Sequence, residues 1–176
     1  MEVQGAPRGI RHALAGLHSK EGLSARNGIR VNMLSIEDRL AILQLHARYC
    51  ACLDTGDMKG WAHCFTVDGA FGVRNMHTGR DAIEAHGLIV LSRRQANPWI
   101  NVQHWNGNII VEGHADSAIA MSYLAMIGKT KDSGALTIVA QGWYSDILKK
   151  ENNDWKFSSR RIRFDTPPQN SMPKNS

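Results

Sequence analysis

The chain has no apolar run that approaches the ~18 residues a membrane-spanning helix needs, so a transmembrane role is not expected. Its beginning has no continuous apolar core of the kind a secretory signal carries. Cysteine is scarce: Cys50, Cys52 and Cys64. An odd count with no CxxC pair argues against both a disulfide framework and a structural zinc site. The bland expectation is three small buried thiols in a reducing, cytoplasmic compartment. No HExxH or other metal-binding spacing occurs among the eight histidines, and no internal repeat or second domain is visible.

Acid is scarce at one end. Residues 1–32 carry Arg8, Arg11, Lys20, Arg26 and Arg30 against Glu2 and Glu21, a surplus of three out of the net charge of +5. Most of the basic excess thus belongs to the leader rather than to a face of the folded part, and nucleic-acid binding is not expected. Residues 1–32 are expected to be a disordered or dispensable extension, 33–165 a single domain, and 166–176 a disordered tail.

What the chain does have is punctuation. Ser35 can cap a helix, with Asp38 three residues on. Ile36, Leu40, Leu43, Ala47 and Cys50 follow at helical spacing, widened by Ile42, Leu45 and Tyr49, and the helix is expected to run to about Leu53. Gly56 can end it and Asp57 can cap a short second helix, Met58 to Phe65. Val67 to Val73 reads as a strand and Asp81 to Gln95 as a third helix, ended by Asn97-Pro98. Four strands complete the pattern: Ile100 to Glu112, Ser117 to Ile127, Leu136 to Lys149 and Trp155 to Phe164. Lys149-Lys150 is expected at a solvated hairpin end, and Arg160-Arg161 with Arg163 on an alternating strand face. Gly107 and Gly142, inside strands, mark candidate bends. The order predicts an α+β fold, with three N-terminal helices packed on a strongly curved, mostly antiparallel mixed sheet that forms a cone around a pocket.

The odd residue in this plan is His104, a titratable ring at the start of a strand that soon turns apolar. An imidazole there can act as a general acid and base near neutral pH. Core histidines satisfied by hydrogen bonds are the competing reading. For Asp54 the competitor is capping, and for Tyr49 it is packing.

Several segments resemble one family. Arg48-Tyr49 followed by Leu53-Asp54-Thr55-Gly56-Asp57, Cys64 to Phe71, Gln103-His104-Trp105, and Gly142 to Asp146 with Trp155-Lys156-Phe157 are similar, in order, to the SnoaL-like domains of the NTF2-like (cystatin-like cone) superfamily. Within it the pattern is nearest to scytalone dehydratase and bile-acid dehydratase members. Asp54 and Gln103-His104-Trp105 match the first, and Tyr49, five residues before Asp54, matches the second. The chain departs at Leu53, where the scytalone pattern has tyrosine, and at Trp143, where closing strands often carry arginine. It also has no second histidine between Ser117 and Ile127.

The resemblance implies a cofactor-free lyase (dehydratase-like) or isomerase acting on a small, hydrophobic, cyclic, carbonyl-bearing substrate. His104, Asp54 and Tyr49 would be catalytic, Tyr49 as a donor to the substrate carbonyl that stabilises the enolate, and Trp105, Trp143, Met121 and Phe71 would line the pocket. No metal or organic cofactor is called for, because the proton removed lies beside a carbonyl. The superfamily also implies a homodimer or homotrimer. The alternative it offers is a non-catalytic ligand-binding or oligomerising subunit, like the small subunit of ring-hydroxylating dioxygenases.

Overall fold

The computed structural model describes residues 33–166. The expected extension (1–32) and most of the expected tail lie outside the described residues. Ser35 starts helix α1 (Ile36–Thr55), its side chain accepting from the Asp38 N–H at 3.0 Å. Gly56 ends the helix at φ 81°, a left-handed turn that a side chain would strain. Asp57 then caps α2 (Met58–Ala62), accepting from the Gly60 N–H. β1 (Phe65–Gly72) and β2 (Met76–Thr78) form a hairpin, followed by α3 (Arg80–Ser92), a 3-10 turn (Arg94–Ala96), and the long strands β3 (Trp99–His114), β4 (Ser117–Thr130), β5 (Leu136–Glu151) and β6 (Asp154–Thr166).

The six strands make one curled sheet in the order β2-β1-β6-β5-β4-β3. Only β1 and β6 run parallel. The expected α+β architecture, helices on a mixed sheet, is the one observed. β3 is an edge strand, and α1 lies against it and β6.

Register shifts fall after Gly107 on β3 and at Gln141/Gly142 on β5, the two glycines expected to mark bends. At Gly142 a Cβ would stand 2.1 Å from the Arg163 carbonyl oxygen, so no other residue fits that crossing of β5 and β6.

The core lies between α1 and the sheet's inner face. Tyr49 is fully buried and ringed by Trp61, Phe65, Phe71, Tyr144 and Phe157, with centroids 5.7–6.4 Å away. The buried stripe of α1 is Ile42, Leu45, His46, Tyr49, Cys50 and Cys52. This corrects the expected stripe: Ile36, Leu40 and Leu43 face outward. Apolar residues surround this helix, so spacing alone did not choose the face; packing against β6 and the aromatic cluster did. β2 was not anticipated, since three residues are too few to display an alternation.

Candidate functional site

β3 enters beside the C-terminal end of α1, and the two elements meet at His104 and Asp54. The His104 backbone N–H points off the free edge of the sheet and donates to both Asp54 carboxylate oxygens at 3.1 Å. The ring closes over the same group, with Nδ1 2.6 Å from Asp54 Oδ1. An ionised carboxylate only accepts, so Nδ1 carries the proton in the neutral ring and Nε2 is left with its lone pair. The side chains are 14% and 25% exposed, enough to be reached from solvent. Arg94, on the 3-10 turn, holds Asp54 from the other side: its guanidinium donates to the carbonyls of Leu53 and Asp54. A cation on the last carbonyls of α1 complements the helix dipole there and fixes the residue that carries the carboxylate.

On the same face, two residues along β3, stands Asn106. Its Nδ2 donates to the Tyr123 carbonyl at 2.9 Å. Its Oδ1 accepts from Arg160 Nη2 at 2.9 Å and lies 2.9 Å from His46 Nδ1. Behind it is a closed ionic cluster. Arg160 is fully buried, with its guanidinium stacked 4.1 Å from the Tyr49 ring, 3.7 Å from Tyr144 and 4.3 Å from Phe157. Asp146 faces Arg160 Nε at 3.3 Å and His46 Nε2 at 3.7 Å. Burial pushes the Asp146 carboxyl up to about 7 against the pull of Arg160. Burial, then the Arg160 charge, pushes His46 down to about 3, against the hydrogen bond to Asn106. Folding thus favours a neutral His46 beside an Asp146 that holds its proton unusually well.

The expected site residues divide. Asp54 and His104 are brought together. Tyr49, expected near them as a donor, is instead enclosed in the core under Arg160, and burial raises its hydroxyl well above the ordinary phenol range. Phe71 is likewise core, against Trp61 and Tyr49. Trp105, Met121 and Trp143 are corrected. They lie on the sheet's other face, because Trp105 adjoins His104 and side chains alternate, while Met121 and Trp143 share that face with the exposed Ile119 and Tyr123. A hollow of about 200 Å³ on that outer face is lined by Ile110, Ile119 and Met121.

Sequence reasoning missed His46, Asn106 and Arg160, and weighed Asp146 as solvent-facing. One signal for His46 was present: it follows Ile42 by four and precedes Tyr49 by three, inside the stripe that packs. Among the described residues no group of three or more His, Cys, Asp or Glu side chains is placed to hold a metal. Nor is any helix long and apolar enough to cross a membrane.

Known structures share this arrangement of elements. A Mycobacterium tuberculosis protein of unknown function is 28% identical, with a TM-score of 0.67, over 80% of this chain and 85% of that one. A Nostoc punctiforme protein of unknown function with a cystatin-like fold is 26% identical, with a TM-score of 0.66, over 80% and 97%. A candidate scytalone dehydratase from Novosphingobium aromaticivorans is 21% identical, with a TM-score of 0.62, over 78% and 97%, and supports the fold alone. No curated protein matches the chain. The SnoaL-like domain model matches residues 34–161, well over half the chain. This span covers α1 through most of β6, including every residue of the two clusters just described, and the chain belongs to the SnoaL-like domain family.

Proposed function

We propose that the protein is a cofactor-independent lyase or isomerase in which His104, held by Asp54, moves a proton beside a carbonyl of a small cyclic substrate. The observation that carries this reading is the 2.6 Å contact between His104 Nδ1 and Asp54 at a partly open position. With Nδ1–H tied to the carboxylate, Nε2 is the free base. On a β-hydroxy ketone it takes the α-proton, and Asp54 stabilises the imidazolium that forms. The same ring returns the proton to the departing hydroxyl. The α C–H and β C–O bonds break, a C=C bond forms, and water leaves. In an isomerisation the proton returns to a different carbon. Tyr49 takes no part in this scheme, since its hydroxyl is enclosed. The test is exchange of the α-protons of a cyclic ketone in D₂O, followed by NMR. His104→Ala should abolish exchange catalysed by the protein while leaving the circular dichroism spectrum unchanged. Full exchange in that variant would sink the reading.

A second reading has its own support. The interior beyond Asn106 is filled by aromatic rings and Arg160, and Ile119, Tyr123, Ile147 and Trp105 are exposed on the outer face. A packed interior beside an apolar outer face fits an oligomerising subunit without chemistry. Wild-type protein that forms an oligomer but exchanges no α-protons and binds no enolate analogue would favour it.

A further inference from the structure

A base that removes a proton beside a carbonyl needs a partner that takes up the charge developing on the oxygen. Tyr49, the residue expected for that task, is closed off, so the donor must come from elsewhere on the face that carries His104. Asn106 meets four requirements. It is on that face, two residues from His104, a separation of about 7 Å along a strand. That spacing leaves room for a reacting group lying about 3 Å from both the base and the oxyanion donor. Its amide is oriented beyond ambiguity. The oxygen must face the Arg160 guanidinium, which only donates, and the NH₂ must face the Tyr123 carbonyl, which only accepts. Asn106 is half-buried, and Tyr123 occupies only one of the two Nδ2 hydrogens; the second has no acceptor among the described residues. Finally, the amide is polarised from behind. Its oxygen takes a charge-assisted hydrogen bond from Arg160 and lies 2.9 Å from His46 Nδ1, and electron density drawn toward the oxygen makes the N–H a stronger donor.

We propose that Asn106 is the electrophile of the site: its free Nδ2–H donates to the substrate's carbonyl oxygen and stabilises the enolate, with Arg160 polarising the amide from inside the core. This rests on the acid–base reading of His104. It also gives the buried cation a task. Arg160 reaches the substrate through Asn106 without leaving the core, and the ligand class that follows is a planar oxyanion, an enolate or phenolate.

The test uses 4-nitrophenol, whose phenolate mimics an enolate and whose ionisation is read from its absorbance. Wild-type protein should bind the phenolate at least tenfold more tightly than the neutral phenol. Asn106→Asp keeps an acceptor for Arg160 and His46 but removes the donor. Asn106→Ala removes the donor without adding charge. Both should lose the preference for phenolate, and α-proton exchange should fall by about 10²–10³-fold, the loss typical of a missing oxyanion donor. His104→Ala should lose exchange yet keep the phenolate preference. A wild-type protein without that preference, or a folded Asn106 variant that retains it, overturns the assignment of Asn106. Exchange that survives in His104→Ala would instead overturn the acid–base reading beneath it. If the alanine variant does not fold, the aspartate variant decides.

Discussion

A guanidinium with no exposed surface is held by its surroundings, and at Arg160 these are three aromatic faces, one carboxylate, one amide oxygen and the His46 Nδ1 at 3.3 Å. The proton balance of this cluster sets a pH signature. His46 falls from 6.5 to about 3 on folding, and Asp146 rises from 3.8 to about 7. Between roughly pH 4 and 6.5 the unfolded chain carries one proton on the histidine, and the folded chain carries one on the aspartate. The proton counts match, so the pair gives no slope of stability with pH in that window. Removing either partner exposes the other. In Asp146→Asn the lowered His46 remains: its contribution is present above 6.5 and is lost as pH falls toward 3, so the urea midpoint should drop on acidification from pH 6.5 to 4. In His46→Phe the raised Asp146 remains: its contribution is present below 3.8 and is lost as pH rises through 7, so the midpoint should drop from pH 4 to 7. Parallel pH dependence in the two variants would refute this account. At the site itself, Asp54→Asn replaces the acceptor of Nδ1–H with a group that can turn an NH₂ toward the ring. The His104 tautomer is then no longer fixed, and exchange should fall by about 10²–10⁴-fold, the range for losing a positioned acid–base group.

At the scale of elements, caps and backbone crossings matter more than propensity. Ser35→Ala removes the acceptor of the Asp38 N–H and should lower stability by about 1 kcal/mol in urea titration. Gly142→Ala drives a methyl group to 2.1 Å from a backbone oxygen that cannot swing away. β5 and β6 would have to separate there, and the variant should fold poorly or show a markedly lower melting temperature. Such punctuation is why most of the fold was legible in the sequence. Ser35, Gly56 and Asp57 bound the helices they were expected to bound, whereas α3 stops at Ser92 and Asn97 closes only the 3-10 turn that follows it. The site was legible only in part, and β6 gives the reason. Trp155 and Phe157 face inward, so strict alternation would point Ser159, Arg161 and Arg163 inward and Arg160 out. A register shift between Ile147 and Leu148 of β5 lets Phe157 pair with Leu148 and Ser159 with Ile147. The extra residue, Ser158, reverses the phase, and Arg160 turns into the core opposite Asp146. The chain does show a phase change, from Trp155 and Phe157 to Ile162 and Phe164, but the extra residue can fall anywhere between them, so the side taken by Arg160, and with it the buried cluster and the orientation it imposes on Asn106, could not be read from the chain alone.

At the scale of the whole molecule the two faces of the sheet are unlike. The inner face is covered by helices. The outer one leaves Trp105, Ile119, Tyr123 and Ile147 about half exposed, a concentration of apolar side chains that soluble single chains seldom leave bare. Its charges are arranged across the sheet: Glu112 stands on the edge strand β3, and Arg161 and Arg163 stand on β6, three strands away and inside the sheet. A two-fold axis parallel to the strands would lay β3 of one copy over β6 of the other. Each Glu112 then meets the Arg161 and Arg163 of the other copy, and the isoleucines meet at the centre. An isologous interface requires that kind of self-complementarity. The protein should therefore run as a dimer by light scattering. Ile119→Lys, at the centre of the face, should give a monomer with the wild-type circular dichroism spectrum, and Glu112→Lys should weaken the dimer through like-charge contact with Arg161 and Arg163 of the second copy. In that pair of copies His104 stays on the inner face, away from the contact, so α-proton exchange per chain should be equal in monomer and dimer. A wild-type protein that remains monomeric at tens of micromolar, or a dimer that Ile119→Lys leaves intact, would rule out this face as the interface.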